Sequence, residues 1–213
     1  MAEKFARIAV LVSGGGTNLQ ALIDAEKNGV LKSGKITLVI SNRADAYALR
    51  RAENAGIKAC TVLKKALGSQ QAFEHRIAET LDQNGIDLIV LAGFMAILSR
   101  EFTDRYDHRI LNVHPSLIPS FCGEGFYGLR VHEAALKKGV KVTGATVHYV
   151  NEIPDGGEII AQKAVAVEAG DTPETLQRRV MEQAEWIILP QSVELVCADI
   201  IARKNKEDYR WTS

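Results

Sequence analysis

The chain has 213 residues, 46% hydrophobic and 24% charged, and its 26 Lys and Arg are balanced by 26 Asp and Glu. That length and apolar share suit one globular domain with a sizeable core. A formal net charge of zero, with the two signs interspersed, excludes the basic stripe of a nucleic-acid binder, and the apolar runs fall short of a membrane span.

Met1-Ala2-Glu3-Lys4-Phe5 leads straight into a strand-like run without the charged, apolar and cleavage regions of an export signal, so a cytoplasmic location is expected. Residues 7–13 (RIAVLVS) read as a strand ended by glycines. Residues 18–28 carry Leu19, Leu22 and Ile23 at helical spacing, with Gly29 as the stop. A strand at 36–41, a helix at 44–55 and a strand at 58–63 follow. Residues 69–84 place Phe73, Ile77 and Leu81 on one helix face. Two further apolar strands are expected at 87–92 and 109–113. Continuous apolar strands between amphipathic helices indicate a parallel sheet covered on both faces.

From Val142 the pattern changes. Residues 143–150 (TGATVHYV) alternate, 158–167 form a second long strand, and the connection at 151–157 is too short for a crossover helix. The pair is therefore expected to be an antiparallel hairpin. Residues 172–197 read as a long closing helix, with Asp171 or Thr172 as N-cap, Pro173 in its first turn and a kink at Pro190. The polar tail after Arg203 is expected to fray. The expected fold is α/β: a single domain over residues 1–213 with a mostly parallel twisted sheet, helices on both faces, a C-terminal antiparallel hairpin and a long helix. Cys60, Cys122 and Cys197 are odd in number and widely spaced, which reads as reduced thiols, and no Cys/His cluster has metal spacing.

Three segments carry candidate chemistry. Ser13-Gly14-Gly15-Gly16-Thr17-Asn18 lies between the first strand and the first helix. Glycines let a ligand approach the backbone, and a helix N-terminus adds positive potential, so the loop suits a phosphate. The alternative is a plain tight turn. It is neither a dinucleotide fingerprint, because Leu19 stands where the last glycine belongs, nor a Walker loop.

Asn112-Val113-His114-Pro115-Ser116 falls at the end of a strand expected to be parallel, where open sheets bind ligands. In extended chain, Asn112 and His114 face the same side. An amide that can hold a developing oxyanion then sits beside an imidazole that can move protons, a pair suited to acyl transfer. The alternative is a structural histidine capped by a turn. Glu152-Ile153-Pro154-Asp155-Gly156-Gly157 reads first as an ordinary turn, and second as an acid presented to the crevice, where Asp155 would raise the pKa of His114. His148, alternating within its strand, stands to support the site from behind. The absence of a Ser-His-Asp or Cys-His pairing in the pattern leaves the nucleophile to the substrate.

Together with Ala92-Gly93-Phe94-Met95, these segments resemble the glycinamide ribonucleotide transformylase family of the formyltransferase superfamily, in order and spacing, over about residues 7–200. The resemblance implies a cytoplasmic enzyme of purine biosynthesis and one-carbon metabolism. It would move a formyl group from 10-formyltetrahydrofolate, a co-substrate, to the amine of glycinamide ribonucleotide without a metal. It implies Asn112, His114 and Asp155 as the catalytic trio. Gly15, Gly16, Thr17, Asn18 and Glu185 would hold the ribonucleotide, with Glu182 the other candidate because the match needs a one-residue insertion. Met95, Ala96, Ile97 and Leu98 on one side, and Asn151, Glu152, Ile153, Pro154 and Asp155 on the other, would hold the folate ring. Gln70 would be a further folate contact, at a position where the family often has an arginine near the substrates. The resemblance assigns phosphate binding to residues 1–108, catalysis and folate to 109–203, and a tail to 204–213. Residues 121–128, longer than in short relatives, are expected to form a flap beside the folate. The expected partners are small molecules, with neither nucleic acid nor membrane, and the expected state is a monomer or weak homodimer. The alternatives are a 10-formyltetrahydrofolate hydrolase and a non-catalytic folate or phosphoribosyl-binding module.

Overall fold

The computed structural model describes the backbone of residues 5–211 and the side chains of residues 5–206. Two compact units divide the described residues, 5–96 with 193–211 and 97–192. In the first, the β-branched run of β1 (Ala6–Val12) is followed by α1 (Thr17–Lys27), β2 (Gly34–Ser41), α2 (Tyr47–Asn54), β3 (Lys58–Thr61), the short α3 (Lys64–Leu67), α4 (Gln70–Gln83) and β4 (Leu88–Leu91). β1 pairs in parallel with β2 and β4, and β2 in parallel with β3.

The chain thus builds outward from β1 to β3 and then returns to the other side of β1. That reversal makes a switch point at the carboxyl end of β1, where residues 13–16 lie. Ile8, Val10, Leu11, Leu38, Ile40, Leu88 and Ile89 are fully buried in the strands, and Leu19, Leu22, Phe73, Ile77 and Leu81, at the apolar spacing read from the sequence, are buried in the helices. Burying side chains of this size contributes about 1.5–3 kcal/mol each.

The second unit contains α5 (Arg100–Arg105), β5 (Ile110–His114), α6 (Leu129–Lys138), β6 (Val142–Tyr149), β7 (Ile159–Ala166), α7 (Pro173–Val180), a π-helical turn (Met181–Glu185) and the start of α8 (Trp186–Trp211), whose residues from Val193 onward belong to the first unit. β6 and β7 form the expected antiparallel hairpin. β5 also pairs antiparallel with β6, so its partner on this side departs from the parallel pattern its apolar run suggested. The seven strands follow the order β3-β2-β1-β4-β5-β6-β7.

Several boundaries differ from the sequence reading. α5 and α6 were not expected, although Val131, His132 and Ala135 give α6 a buried stripe and Gly139 ends it in a left-handed C-cap. The closing helix is interrupted. Thr172 caps α7 with a reciprocal Thr175 box and Pro173 at its start, while Asp171 pairs instead with Arg179. The π turn then adds one residue to the helical path before α8. Pro190 sits inside α8 without ending it, and α8 runs to Trp211, so the stretch expected to fray is helical backbone as far as residue 211, and residues 212–213 lie outside the described residues.

Glu194 docks the far part of α8 by accepting the Lys32 and Ser33 amides at 2.7 and 2.8 Å. The three cysteines are free, and burial pushes the Cys197 thiol up to about 12. No helix among the described residues is long and apolar enough to cross a membrane.

Candidate active site

Strand pleating does the first part of the work. Asn112 and His114 lie on one face of β5, and antiparallel register sets His148 opposite Asn112 and Thr146 opposite His114. Asp155 comes from the β6–β7 connection and has a left-handed backbone, φ 56°. Behind it, Gly157 is obligatory, because a Cβ there would run into the Tyr149 carbonyl oxygen. This turn brings the carboxylate to the strand face: Asp155 Oδ2 lies 3.3 Å from His114 Nδ1, and Oδ1 lies 3.5 Å from Asn112 Nδ2. The three side chains that the sequence singled out therefore converge, and the turn residue is also the acid.

His148 joins them. Its Nδ1 faces the Tyr149 carbonyl at 2.7 Å, so that nitrogen carries a proton. Its Nε2 lies 3.2 Å from Asn112 Nδ2 and 3.6 Å from Asp155 Oδ1. Asn112 Nδ2 thus lies between His148 Nε2 and Asp155 Oδ1.

Sequence reasoning missed two backbone groups. The Phe121 carbonyl, on a residue with φ 50°, lies 2.9 Å from His114 Nε2, and the Gly123 amide donates to Asp155 Oδ2 at 2.9 Å. Residues 121–123 thus rest on the cluster. Their approach is braced by Thr146, whose hydroxyl donates to the Ser116 carbonyl at 2.7 Å and accepts from the Ile118 amide and from Gln162.

The electrostatics correct one expectation. Burial lowers the His114 pKa, and although Asp155 and the Phe121 carbonyl act in the opposite sense, it stays below its ordinary value rather than above it. Burial pushes the Asp155 carboxyl up. His148, His114 and the Gly123 amide outweigh that and hold it below the usual carboxylate range. Both His114 nitrogens face acceptors. A neutral ring can donate to one of them, an imidazolium to both.

Behind the cluster, α6 contributes His132, fully buried, with neither ring nitrogen hydrogen-bonded among the described residues. Burial, reinforced by His114, lowers its pKa to about 4. As pH falls from the ordinary histidine value toward that level, the unfolded chain takes up a proton that the folded one refuses, so stability is lost through this window and is intact above it. His132→Leu is expected to leave stability at pH 7 equal or higher, and to remove about 2–3 kcal/mol of the loss seen near pH 4.5. Urea denaturation of both proteins at the two pH values measures this. An unchanged acid loss would place its origin elsewhere.

In the first unit, the glycine loop leaves Gly14 and Gly15 exposed, while Gly16 adopts φ 72° as the N-cap of α1. Thr17 opens the helix and Asn18 is buried. Ser13 accepts the Met95 amide at 2.8 Å, which ties the loop to the first part of the 95–98 segment. Met95, Ile97 and Ile153 are large apolar side chains left exposed, whereas Leu98 is buried and Ala96 is partly covered. Asn151 closes its own turn by accepting the Ile153 amide, and Glu152 and Pro154 are exposed. Gln70 donates to Glu74 at 2.6 Å. Of the two acids weighed for the ribonucleotide, Glu185 is buried within the π turn and Glu182 is exposed.

An α/β sheet here brings an amide and an imidazole on one strand face to a carboxylate from a neighbouring turn, an arrangement suited to acyl transfer. The formyl transferase family pattern matches residues 6–193, and the chain belongs to that family. It is 43% identical to the phosphoribosylglycinamide formyltransferase of Escherichia coli (strain K12), over 84% of this chain and 82% of that protein. It is 45% identical to the Homo sapiens trifunctional purine biosynthetic protein adenosine-3 over 93% of its own length, but spans 19% of that much longer protein. A crystal structure of glycinamide ribonucleotide transformylase 1 from Symbiobacterium toebii superposes with a TM-score of 0.86 at 43% identity, covering 92% of this chain and 89% of that one.

Proposed function

We propose that this chain transfers the formyl group of 10-formyltetrahydrofolate to the primary amine of glycinamide ribonucleotide, giving formylglycinamide ribonucleotide and tetrahydrofolate. The observation that carries the reading is the convergence of Asn112, His114 and Asp155, with ring-to-carboxylate contact at 3.3 Å. The amine nitrogen attacks the formyl carbon. The oxygen that becomes an oxyanion is held by Asn112 Nδ2 and by His114 Nε2 in its charged form. In the unliganded site the Phe121 carbonyl occupies the acceptor position at that Nε2, so the formyl oxygen replaces one acceptor with another. Asp155 favours imidazolium and relays the amine proton through water toward the folate nitrogen that leaves.

Gly15, Gly16, Thr17 and Asn18 hold the phosphate and Glu185 contacts the ribonucleotide. Met95–Leu98 and Asn151–Asp155 pack the folate ring, to which Met95, Ile97 and Ile153 offer exposed apolar surface. Gln70, held by Glu74, takes the family's arginine position near the substrates. The chain acts as a single formyltransferase domain on small molecules in the cytoplasm, without a metal. Amine-dependent consumption of 10-formyltetrahydrofolate tests the reaction. Amine-independent consumption identifies a hydrolase, and binding of both ligands without turnover identifies a non-catalytic module.

The phosphate role makes a further prediction. A Cβ on Gly16 would stand 2.6 Å from Ala48 Cβ, and the left-handed backbone strains any side chain. The penalty therefore falls on packing against α2, not simply on the approach of phosphate. Gly16→Ala is expected to cost roughly 1–3 kcal/mol of stability and to weaken ribonucleotide binding more than folate binding. Denaturation and calorimetric titration measure the two effects. Equal losses for both ligands would count against a dedicated phosphate loop.

A further inference from the structure

Three successive peptide planes of the glycine loop are oriented through their carbonyls. Gly14 O accepts from the Ala48 amide at 3.0 Å, Gly15 O from Arg51 Nε at 2.8 Å, and Gly16 O from the Gln20 amide at 2.9 Å. These peptides are trans, and in a trans peptide the C=O and the following N–H point to opposite sides. Each anchored carbonyl therefore turns the next amide, that of Gly15, Gly16 or Thr17, away from its anchor. The Gly14 and Gly15 carbonyls are both anchored on α2, so the Gly15 and Gly16 amides both turn away from that helix, a pairing suited to an anion. Two of the anchors are backbone amides. The middle one is a side chain.

Arg51 is itself held in place. Its NH1 group donates to Gln20 Oε1 at 3.0 Å, and its guanidinium lies 5.1 Å from the Tyr47 ring centroid. The planar fork thus bridges α2, the loop and α1, and its positive charge lies beside the loop. We infer that Arg51 is a positioning residue for phosphate recognition, setting the Gly15–Gly16 peptide so that the Gly16 amide faces the phosphate of the ribonucleotide. The inference rests on reading residues 13–18 as the phosphate loop. Lysine would keep the charge but not the fork, because a single ammonium cannot reproduce a rigid guanidinium held at two acceptors and stacked on a ring.

The test compares the ribonucleotide with its dephosphorylated riboside in steady-state kinetics of the parent, Arg51→Ala and Arg51→Lys. Arg51→Ala is expected to raise KM for the ribonucleotide roughly 10- to 100-fold, the range for losing a charge-assisted hydrogen bond. Its kcat, its folate Kd and its kcat/KM for the riboside should stay within about twofold of the parent, a margin of under 0.5 kcal/mol. Arg51→Lys should recover little of the loss. Equal losses on both substrates would show a general structural role and overturn the inference. So would full recovery by lysine, or an unchanged KM. A parent that does not distinguish the two substrates would instead overturn the phosphate-loop reading, and the inference with it. Should Arg51→Ala fail to fold, Gln20→Leu removes the second tether alone. It must then give a smaller, phosphate-dependent rise in KM, and no rise overturns the inference.

Discussion

Asn112→Ala is expected to lower turnover by roughly 10²–10³, the range for removing one oxyanion donor, with little change in KM for either substrate. The reason lies in what holds the amide. Asn112 Nδ2 lies 3.2 Å from His148 Nε2 and 3.5 Å from Asp155 Oδ1, and the Tyr149 carbonyl at Nδ1 sets the His148 ring. The amide is held in place before charge develops, and the oxyanion takes the Nδ2 proton that the long 3.5 Å contact to Asp155 Oδ1 engages only weakly. Because Asn112 is half-buried in the middle of β5, losing its side chain leaves a small void and takes one long contact from Asp155, which keeps the Gly123 amide and His114. Stability should fall far less than activity. Single-turnover kinetics at saturating substrates separate this chemical step from product release. Turnover within about twofold of the parent, less than 0.5 kcal/mol of barrier, would make Asn112 structural and remove the oxyanion assignment.

The parts of this site that were legible in sequence share a physical origin. Asn112 and His114 could be placed on one face because strand pleating has a fixed period, and the hairpin could be read because 151–157 is too short for anything else. The helices of the first unit followed from apolar spacing, as Phe73, Ile77 and Leu81 show. What stayed illegible depends on backbone conformation or on long-range contact. The Phe121 carbonyl and the Gly123 amide carry no side-chain signature, and only a left-handed residue 121 turns that carbonyl toward the ring. The π turn at 181–185 shows in sequence merely as one residue too many before Glu185. α6 was readable from the stripe of Val131, His132 and Ala135, yet the glycines before it draw attention to a loop. The sign of the His114 shift was the hardest case. A carboxylate partner can be guessed from a motif, but the burial that opposes it exists only once the chain has folded.

That opposition shapes the remaining prediction, coupling between His114 and Asp155. In the free protein His114 should titrate below its ordinary value, since burial outweighs the carboxylate. Asp155→Asn preserves size and most hydrogen bonding but removes the charge that favours imidazolium, so the titration should move lower still. Each unit of that movement corresponds to about 1.4 kcal/mol. At any given pH a smaller fraction of His114 is then charged. Activity near neutrality should fall, and the pH at which it recovers should move toward acid. His114→Ala is expected to reduce turnover by roughly 10²–10⁴, the range for general acid–base catalysis. Adding Asp155→Asn to it should cost only a few-fold more, because groups that act as a unit are strongly non-additive. NMR titration of the imidazole in the parent and in Asp155→Asn, with kinetics of both single variants and the double variant, carries the measurement. The 3.3 Å contact requires the two results to appear together. An unchanged His114 titration with fully additive rate losses would reduce Asp155 to a turn residue that happens to lie beside the ring.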